Sequence, residues 1–418
     1  MRQMKNSGIE WIGEIPEHWN TERIQWHLYE INEKNSPIRT MCVLSLTNKR
    51  GVIPYEEKGA QGNISKENYN EYKIAYQNTI IANSMNIIIG SVGYSQYYGC
   101  VSPVYYVFAA REQCNIRFFN YIMQTVPFQK ELRRFANGIL EIRLRVSADT
   151  ILKRSVAVPF LFEQEQIVSF LDKKCGEVDA LIAEIQQEIE TLEQYKRSVI
   201  TEAVTKGLDS SVPMKDSGID YLGWINSEWR LTKLGYICQK LNRPVQEKAE
   251  ALICSNKGKV VLREDVSVGL ISENDRMYQG VKVGDLCIHG MDTWHGAIAV
   301  SSLNGKITTV VHCCDSREDK RFIAYYLRML AFKKVYKAIS NGVRGNTSDF
   351  RSWDKAGDIY IVLPNRETQQ QIADYLDKKC KEIEEIIADK QLQIETLESY
   401  KKSLIYEYVT GKKEIIAQ

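Results

Sequence analysis

Residues Gln164–Thr205 and Gln369–Thr410 are one 42-residue stretch written twice. They align without a gap at an offset of 205, with 24 of 42 positions identical. Unrelated segments of average composition would agree at roughly one position in 15 to 20. The match is therefore an internal duplication, and the chain must fold as two related halves. Both copies read as long helices. In the first, Val178, Ile182, Ile185, Ile189, Leu192 and Val199 keep the 4-3-4-3 spacing of a coiled-coil seam, which Lys196 interrupts. In the second, Ile383, Ile387, Ile394, Leu397 and Leu404 hold the seam, and Lys390 and Lys401 fall on it. At about 1.5 Å per residue, each copy would span roughly 63 Å. Gly176 is the expected weak point of the first. Neither helix can bury its stripe alone. An antiparallel pair, related by an approximate two-fold, lets the similar faces meet.

A second repeat precedes each half. Met4–Trp19 (MKNSGIEWIGEIPEHW) and Met214–Trp229 (MKDSGIDYLGWINSEW) agree at eight of sixteen positions. Their Ser-Gly steps read as turns, and their apolar residues suit a docking box. Between box and helix the texture becomes short β-branched and apolar runs broken by Gly, Asn and Pro. These include IRTMCVLSL, YKIAYQNTIIAN, MNIIIGSVGY and VSPVYYVFAA, a strand-rich mixed domain. A helical piece follows, with Phe119, Ile122, Met123 and Val126 at helical spacing. Residues 230–355 repeat this plan at far lower identity: LICSNKGKVVL resembles LSLTNKRGVIP, and RFIAYYLRMLAFKKVYKAISNG echoes RFFNYIMQTVPFQKELRRFANG. The expected order is a box (1–19), a domain (20–155), a helical region (156–210), a second box (211–230), a second domain (231–355) and a second helical region (356–418). The helices match well and the domains do not, as suits one scaffold presenting two different readers.

A chain of 418 residues with 44% hydrophobic content can build two or three cored domains. No run approaches the roughly 18 apolar residues of a membrane span, and MRQMKNSGIEW lacks a signal core. Ten scattered cysteines without a CxxC pair suit reduced thiols and a cytoplasmic location. With a net charge of only +2, any nucleic-acid surface must be local. The domain ends supply such places: Phe128–Arg154 carries seven Lys or Arg against three acids, and Arg317–Lys355 ten against four. Charge runs of this kind are ordinarily a solvated helix face. Polar loops with aromatics, Ser91–Tyr98 and Met291–His295, lie within the same domains.

Active chemistry has no visible carrier. The sequence holds no GxxxxGK[ST] phosphate loop, no GxGxxG, and no Asn-Pro-Pro-aromatic run. His289 and His295 near Cys287 match no zinc spacing. No metal site and no catalytic residue are expected.

The helical repeats with their leading Pro159…Glu163-Gln164…Ile167…Leu171-Asp172 and Pro364…Gln369…Ile372…Leu376-Asp377, together with the SGIxxxGxIxxxW boxes, resemble the DNA-specificity subunits of type I restriction–modification systems. The resemblance spans essentially the whole chain. One departure is Thr368 where the first copy has Glu163, so a shared role for that glutamate is not expected. The resemblance implies an α+β fold. Two mixed α/β target-recognition domains would be separated by two long antiparallel coiled-coil helices, in a pseudo-two-fold duplicated arrangement. It further implies that each domain binds one half of a bipartite double-stranded DNA target and that the helices fix the spacer. Two methyltransferase subunits and two motor-nuclease subunits would be the partners. S-adenosylmethionine for adenine-N6 methylation, ATP and magnesium would belong to those partners and not to this chain. Readers on one side of B-DNA must lie about 34 Å apart, or a multiple of it, which helices of this length can span. By residue type and loop position, the candidate DNA contacts are Asn48, Lys49, Arg50, Tyr94, Gln96, Arg143 and Arg145 in the first domain. In the second they are Asn256, Lys257, Thr293, Trp294, His295, Arg344, Asn346 and Arg351. Two other readings stand beside this one: a self-contained DNA-modifying enzyme, which the missing cofactor motifs oppose, and a scaffold whose twin domains bind proteins.

Overall fold

The computed structural model describes residues 2–47, 50–58, 68–136, 144–209, 211–246, 248–265, 277–339 and 350–415. It divides into two compact units. One is Met1–Ile185 with Leu392–Gln418, and the other is Gln186–Gln391.

In the first unit the box is a hairpin of β1 (Met4–Asn6) and β2 (Glu14–Pro16). Next come β3 (Asn20–Arg23), β4 (Leu28–Ile31), β5 (Leu44–Thr47), β6 (Gly51–Pro54), β7 (Lys73–Ala75), β8 (Thr79–Asn83), β9 (Val92–Ser95), β10 (Gly99–Val101) and β11 (Tyr105–Ala110). Four of these form an antiparallel sheet in the order β4-β11-β8-β9, with pairs β5-β6 and β7-β10 beside it. Every residue of β8 is buried, as expected of an interior strand made almost wholly of apolar and small residues. Helices α1 (Ile116–Gln124), α2 (Val126–Arg133) and α3 (Ala148–Leu152) cover the sheet. Then β12 (Ser155–Val158) returns to pair with β3 and leads into α4 (Leu161–Thr205).

The second unit repeats this order. Its box is β13 (Met214–Asp216) and β14 (Trp224–Asn226). After β15 (Arg230–Lys233) and α5 (Leu234–Ile237) come β16 (Cys238–Lys240), β17 (Leu252–Cys254), β18 (Val260–Leu262), β19 (Tyr278–Val281), β20 (Leu286–His289), β21 (Ile298–Val300), β22 (Gly305–Thr308) and β23 (Val311–Ser316). The sheet order β16-β23-β20-β21, with pairs β17-β18 and β19-β22, reproduces the first unit strand for strand. Helices α6 (Lys320–Phe332), α7 (Val335–Ile339) and α8 (Trp353–Gly357) follow. Finally β24 (Tyr360–Leu363) pairs with β15 and leads into α9 (Arg366–Val409).

Helix starts and stops follow local chemistry. Asn115 caps α1 by accepting from the Arg117 amide, and Asp319 caps α6 by accepting from the amides of Arg321 and Phe322. The helical stretch expected through Val126 is interrupted. α1 ends at Gln124, Thr125 is extended, and α2 restarts with Pro127 in its first turn. A proline there cannot continue the preceding hydrogen-bond ladder. Val126, at helical spacing with Phe119, Ile122 and Met123 in the sequence, starts the new helix and is 39% exposed. α6 has no such proline and runs further.

Gly176 does not break α4, which is continuous through it. Within each unit, segments of α4 and α9 run antiparallel. In the first, the Phe170 ring lies 4.5 Å from that of Tyr408, and the Lys401 ammonium reaches Asp179 at 2.6 Å. In the second, Lys390 pairs with Glu188, and Lys196 with Glu384 at 3.1 Å. All three lysines that interrupt the stripe are thus matched by an acid on the opposite helix. The offset of 205 that carries Lys196 to Lys401 also carries Asp179 to Glu384, so two of these pairs are repeat images.

The same repetition fixes each domain to its helix. Asp172 accepts from Arg117 and from the Tyr121 hydroxyl (2.7 Å), while Asp377 accepts from Arg321 and Tyr325 (2.7 and 2.8 Å). Gln164 and Gln369 each accept from the amide that starts the domain helix and donate to the proline five residues back. Trp19 packs edge-on to Phe118, and Trp229 to Phe322, both at 6.4 Å. Glu163 is where the images part. Its carboxylate accepts from Trp19 Nε1 (3.0 Å), His18 (2.9 Å) and Arg2, whereas the Thr368 amide donates to Asn365. The boxes dock on helix ends. Lys412 donates to the Glu14 carbonyl at 2.7 Å and Tyr406 to that of Trp11 at 3.0 Å in one unit. Asn226 donates to the Lys206 carbonyl at 3.2 Å in the other.

Candidate nucleic-acid interface

In each unit a tight loop and the segment entering ahead of α3 or α8 meet at one end of the sheet, and in the second unit the turn of the neighbouring hairpin joins them. The tight loop is innermost. Between β8 and β9, a 3-10 turn at Ile87–Ile89 closes on Gly90 (φ +91°). Between β20 and β21, a 3-10 turn at Thr293–His295 closes on Gly296 (φ +81°). A left-handed closing residue is the reason for glycine at both places. The residue that ends the inner strand holds the loop in each case. Asn83 Oδ1 accepts from the Met85 amide, and His289 Nδ1 accepts from the amides of Met291 and Asp292 at 3.3 and 3.0 Å. His289 serves here as an acceptor, and burial pushes its pKa down against the pull of Asp292. At the tips, Ile89 is 68% exposed, and His295 is exposed beside Trp294, whose ring lies 5.3 Å from the Lys337 ammonium. Thr293 is buried beneath them.

The second segment is the turn of the neighbouring hairpin. Asn48 and Lys49 lie outside the described residues. Arg50 follows them and folds back onto Glu57, donating to its carboxylate and its carbonyl, each at 2.9 Å. In the other unit Asn256 and Lys257 are exposed on the turn between β17 and β18. This turn rests on the Arg328 guanidinium, which fills the space a Cβ at Gly258 would need, and the Lys259 ammonium is bound to Glu384 at 2.9 Å. The Asn256 carbonyl lies 3.7 Å from where a Cβ of Gly296 would stand, so turn and loop are neighbours.

The third segment enters ahead of α3 and α8. The Val146 amide donates to Ser84 and the Phe350 amide to Gly290, both at 3.0 Å. This seats the exposed Arg145 and Arg351 beside their loops. A side chain at Gly290 would meet the Phe350 carbonyl at 2.8 Å and the Arg351 Cα at 3.1 Å. Arg143, Arg344 and Asn346 lie outside the described residues.

Tyr94 and Gln96 are elsewhere. Both sit at the far end of β9 from the Ile87–Ile89 loop. The Tyr94 hydroxyl bonds Asn78, its ring lies 5.2 Å from the Arg117 guanidinium, and exposed Gln96 belongs to the Ser95–Tyr97 turn. The repeat image of that turn is Ser301–Leu303, held by the same hydroxyl-to-backbone bonds. The two polar loops singled out by composition, Ser91–Tyr98 and Met291–His295, are therefore not equivalents. The true partner of Thr293–His295 is Ile87–Ile89. Selection by polar residue type passed over it. Its signal was the shared frame Met85…Gly90 and Met291…Gly296. Arg328 and Lys337, which back the turn and the loop of the second unit, lie within helical stretches and so carried no signal of loop position.

Among the described residues, no group of three or more His, Cys, Asp or Glu is placed to hold a metal ion. None of the described helices is long and apolar enough to cross a membrane. The constellation offers amide, guanidinium and ammonium donors beside exposed tips, groups suited to hydrogen bonding and ionic contact.

Residues 16–191 match the family model for the type I restriction modification DNA specificity domain. A Methanocaldococcus jannaschii protein described as the type I restriction enzyme MjaX specificity subunit is 25% identical over 330 residues, covering 75% of this chain and 68% of that protein. The type I restriction enzyme MjaVIII specificity subunit of the same organism is 25% identical over 285 residues, 62% of this chain and 61% of that one. In fold, the chain superimposes with a TM-score of 0.69 on a chain from a structure of complex assembly and conformational transition of the type I R-M system. That match has 13% identity and covers 96% of this chain and 99% of the other. Residues 16–191 are thus similar to a type I restriction modification DNA specificity domain, most of the chain is similar to type I restriction enzyme specificity subunits, and the α+β plan with its two long helices shares the fold of the superimposed type I R-M chain.

Proposed function

We propose that this non-catalytic subunit binds double-stranded DNA, with residues 20–155 and 231–355 each reading one half of a bipartite target. The carrying observation is the recurrence in both units of one tight loop with the segment bonded to its base, with the same backbone bonds and different side chains at the tips. Ile87–Ile89 in one unit answers Thr293–His295 in the other. A shared frame with unlike tips is what reading two different half-sites requires. Exposed Arg145 and Arg351 beside the loops supply phosphate anchoring, and the tips supply base contact.

The spacer between half-sites is set by α4 and α9, which run 45 and 44 residues without interruption, roughly 66 Å each. The subunit directs adenine-N6 methylation and restriction through two methyltransferase and two motor-nuclease subunits. S-adenosylmethionine, ATP and magnesium act in those partners. Two copies of the methyltransferase suit the duplicated outer faces of the helices. Leu181 and Tyr400 are exposed in the first unit, and their repeat images Ile386 and Tyr195 are exposed in the second. A shared surface of this kind takes one partner twice.

Selection of duplexes from a random pool by the chain assembled with its methyltransferase tests the reading. Enrichment of two short fixed blocks at constant separation is expected. Recovery of unselected sequence from a properly assembled complex would refute it and leave the twin domains as protein-binding modules.

A further inference from the structure

Ile89 stands out on the first reading loop. A single exposed isoleucine is ordinary on a protein surface. This one is held rigidly. Its amide donates to the Asn86 carbonyl at 3.0 Å, the Gly90 amide donates to Ile87 at 3.0 Å, and Ser91 returns to Asn86 at 3.0 Å. Ile87 is buried beneath the turn, and the Gln129 side chain backs Gly90. Exposed Arg145 immediately precedes Val146, whose amide donates to the Ser84 carbonyl at the base of the same loop. The repeat image of Ile89 is His295, on the same frame in the other unit. The position is thus common to both halves and changes from imidazole to a bare hydrocarbon.

We propose that Ile89 is a specificity-determining residue that reads a thymine through its C5-methyl group in the major groove. This deepens the DNA-reading assignment above and rests on it. An isoleucine has neither donor nor acceptor. On the major-groove edge the C5-methyl of thymine is the one apolar feature that distinguishes a base pair. A tip already fixed by its own backbone bonds loses little freedom on contact, so a small apolar patch can discriminate. His295 can donate or accept at the equivalent place, so the two units read different chemistry there.

The test uses the chain assembled with its methyltransferase and duplexes carrying the selected target. Each thymine of one half-site is replaced in turn by deoxyuridine, which removes only the methyl group. One replacement is expected to weaken binding by about four-fold, the transfer free energy of one methyl-sized group, about 0.8 kcal/mol. Ile89→Ala should erase that sensitivity without altering the other half-site, and Ile89→Val should keep most of it. Insensitivity to every replacement, or sensitivity that survives Ile89→Ala, overturns the proposal while leaving DNA reading intact. Absence of any fixed half-site sequence in the selection overturns both.

Discussion

Replacing Gly411 by alanine should destabilise the first unit far more than an ordinary surface change. Gly411 ends α9 in the left-handed region, with φ +69°. A Cβ there would stand 2.4 Å from Pro16 Cδ, 2.7 Å from Pro16 Cγ and 3.3 Å from Trp19. Pro16 is a ring fixed in the box hairpin, and Trp19 is fully buried and donates to Glu163. Neither can step aside cheaply. The left-handed backbone costs an alanine about 1–2 kcal/mol, and overpacking a fixed contact costs about 1–3 kcal/mol. The expected loss is therefore roughly 3 kcal/mol. Two further glycines calibrate it. Gly207→Ala at the end of α4 shares the left-handed strain (φ +94°) but meets Trp229 only at 3.2 Å, so it should cost about 1–2 kcal/mol. Gly176→Ala lies mid-helix with open space around it and should stabilise by about 0.5–1 kcal/mol. Urea unfolding of the full chain followed by circular dichroism measures all three. With a slope of about 2 kcal/mol per molar, the Gly411→Ala midpoint should fall by roughly 1.5 M. If Gly411→Ala proves no worse than Gly207→Ala, or Gly176→Ala destabilises, the docking of box against helix end is not as described.

Three other outcomes follow from the same contacts. Asp172→Asn weakens the charge-assisted bonds from Arg117 and Tyr121. It should cost about 1–3 kcal/mol in the same unfolding assay, and Asp377→Asn should do likewise in the second unit. Burial raises the Glu163 pKa, but bonds from His18, Arg2 and Trp19 outweigh it and hold the pKa below its ordinary value of 4.5. The stabilisation is then present above about pH 4.5 and lost as pH falls through the lowered value. The stability gap between wild type and Glu163→Gln should accordingly shrink on acidification below pH 4.5, and a gap that widens there would contradict the assignment. Ile189→Asp puts a charge on a buried seam position. It should cost at least about 3 kcal/mol and loosen the spacing of methylated half-sites before it changes their bases, which motif mapping would reveal.

The duplication, the two boxes and the seam were legible because both copies meet the same packing demands, so their apolar spacing persisted. The lysines on the seam looked like defects. Their acidic partners lie on the opposite helix, and single-helix periodicity cannot show them. The break at Thr125–Val126 was written in Pro127 but hidden by the apolar spacing around it. The candidate loops were harder. A search by polar residue type finds His295 and Trp294 and passes over Ile87–Ile89, although the Met-to-Gly frame is shared. It also puts Tyr94 and Gln96 among the candidate contacts, although the length of β9 separates them from the Ile87–Ile89 loop. Which residues converge is decided by strand order, and that is not visible in residue type.

The central claim is that two unlike readers on one repeated frame direct methylation to a split target. A genome-wide map of N6-methyladenine by single-molecule sequencing tests it most directly, in cells expressing this chain with its methyltransferase partner and in cells lacking the chain. The account predicts a bipartite motif with a fixed spacer that appears only when the chain is present. Identical methylation in both, with the complex shown to be assembled, would contradict it.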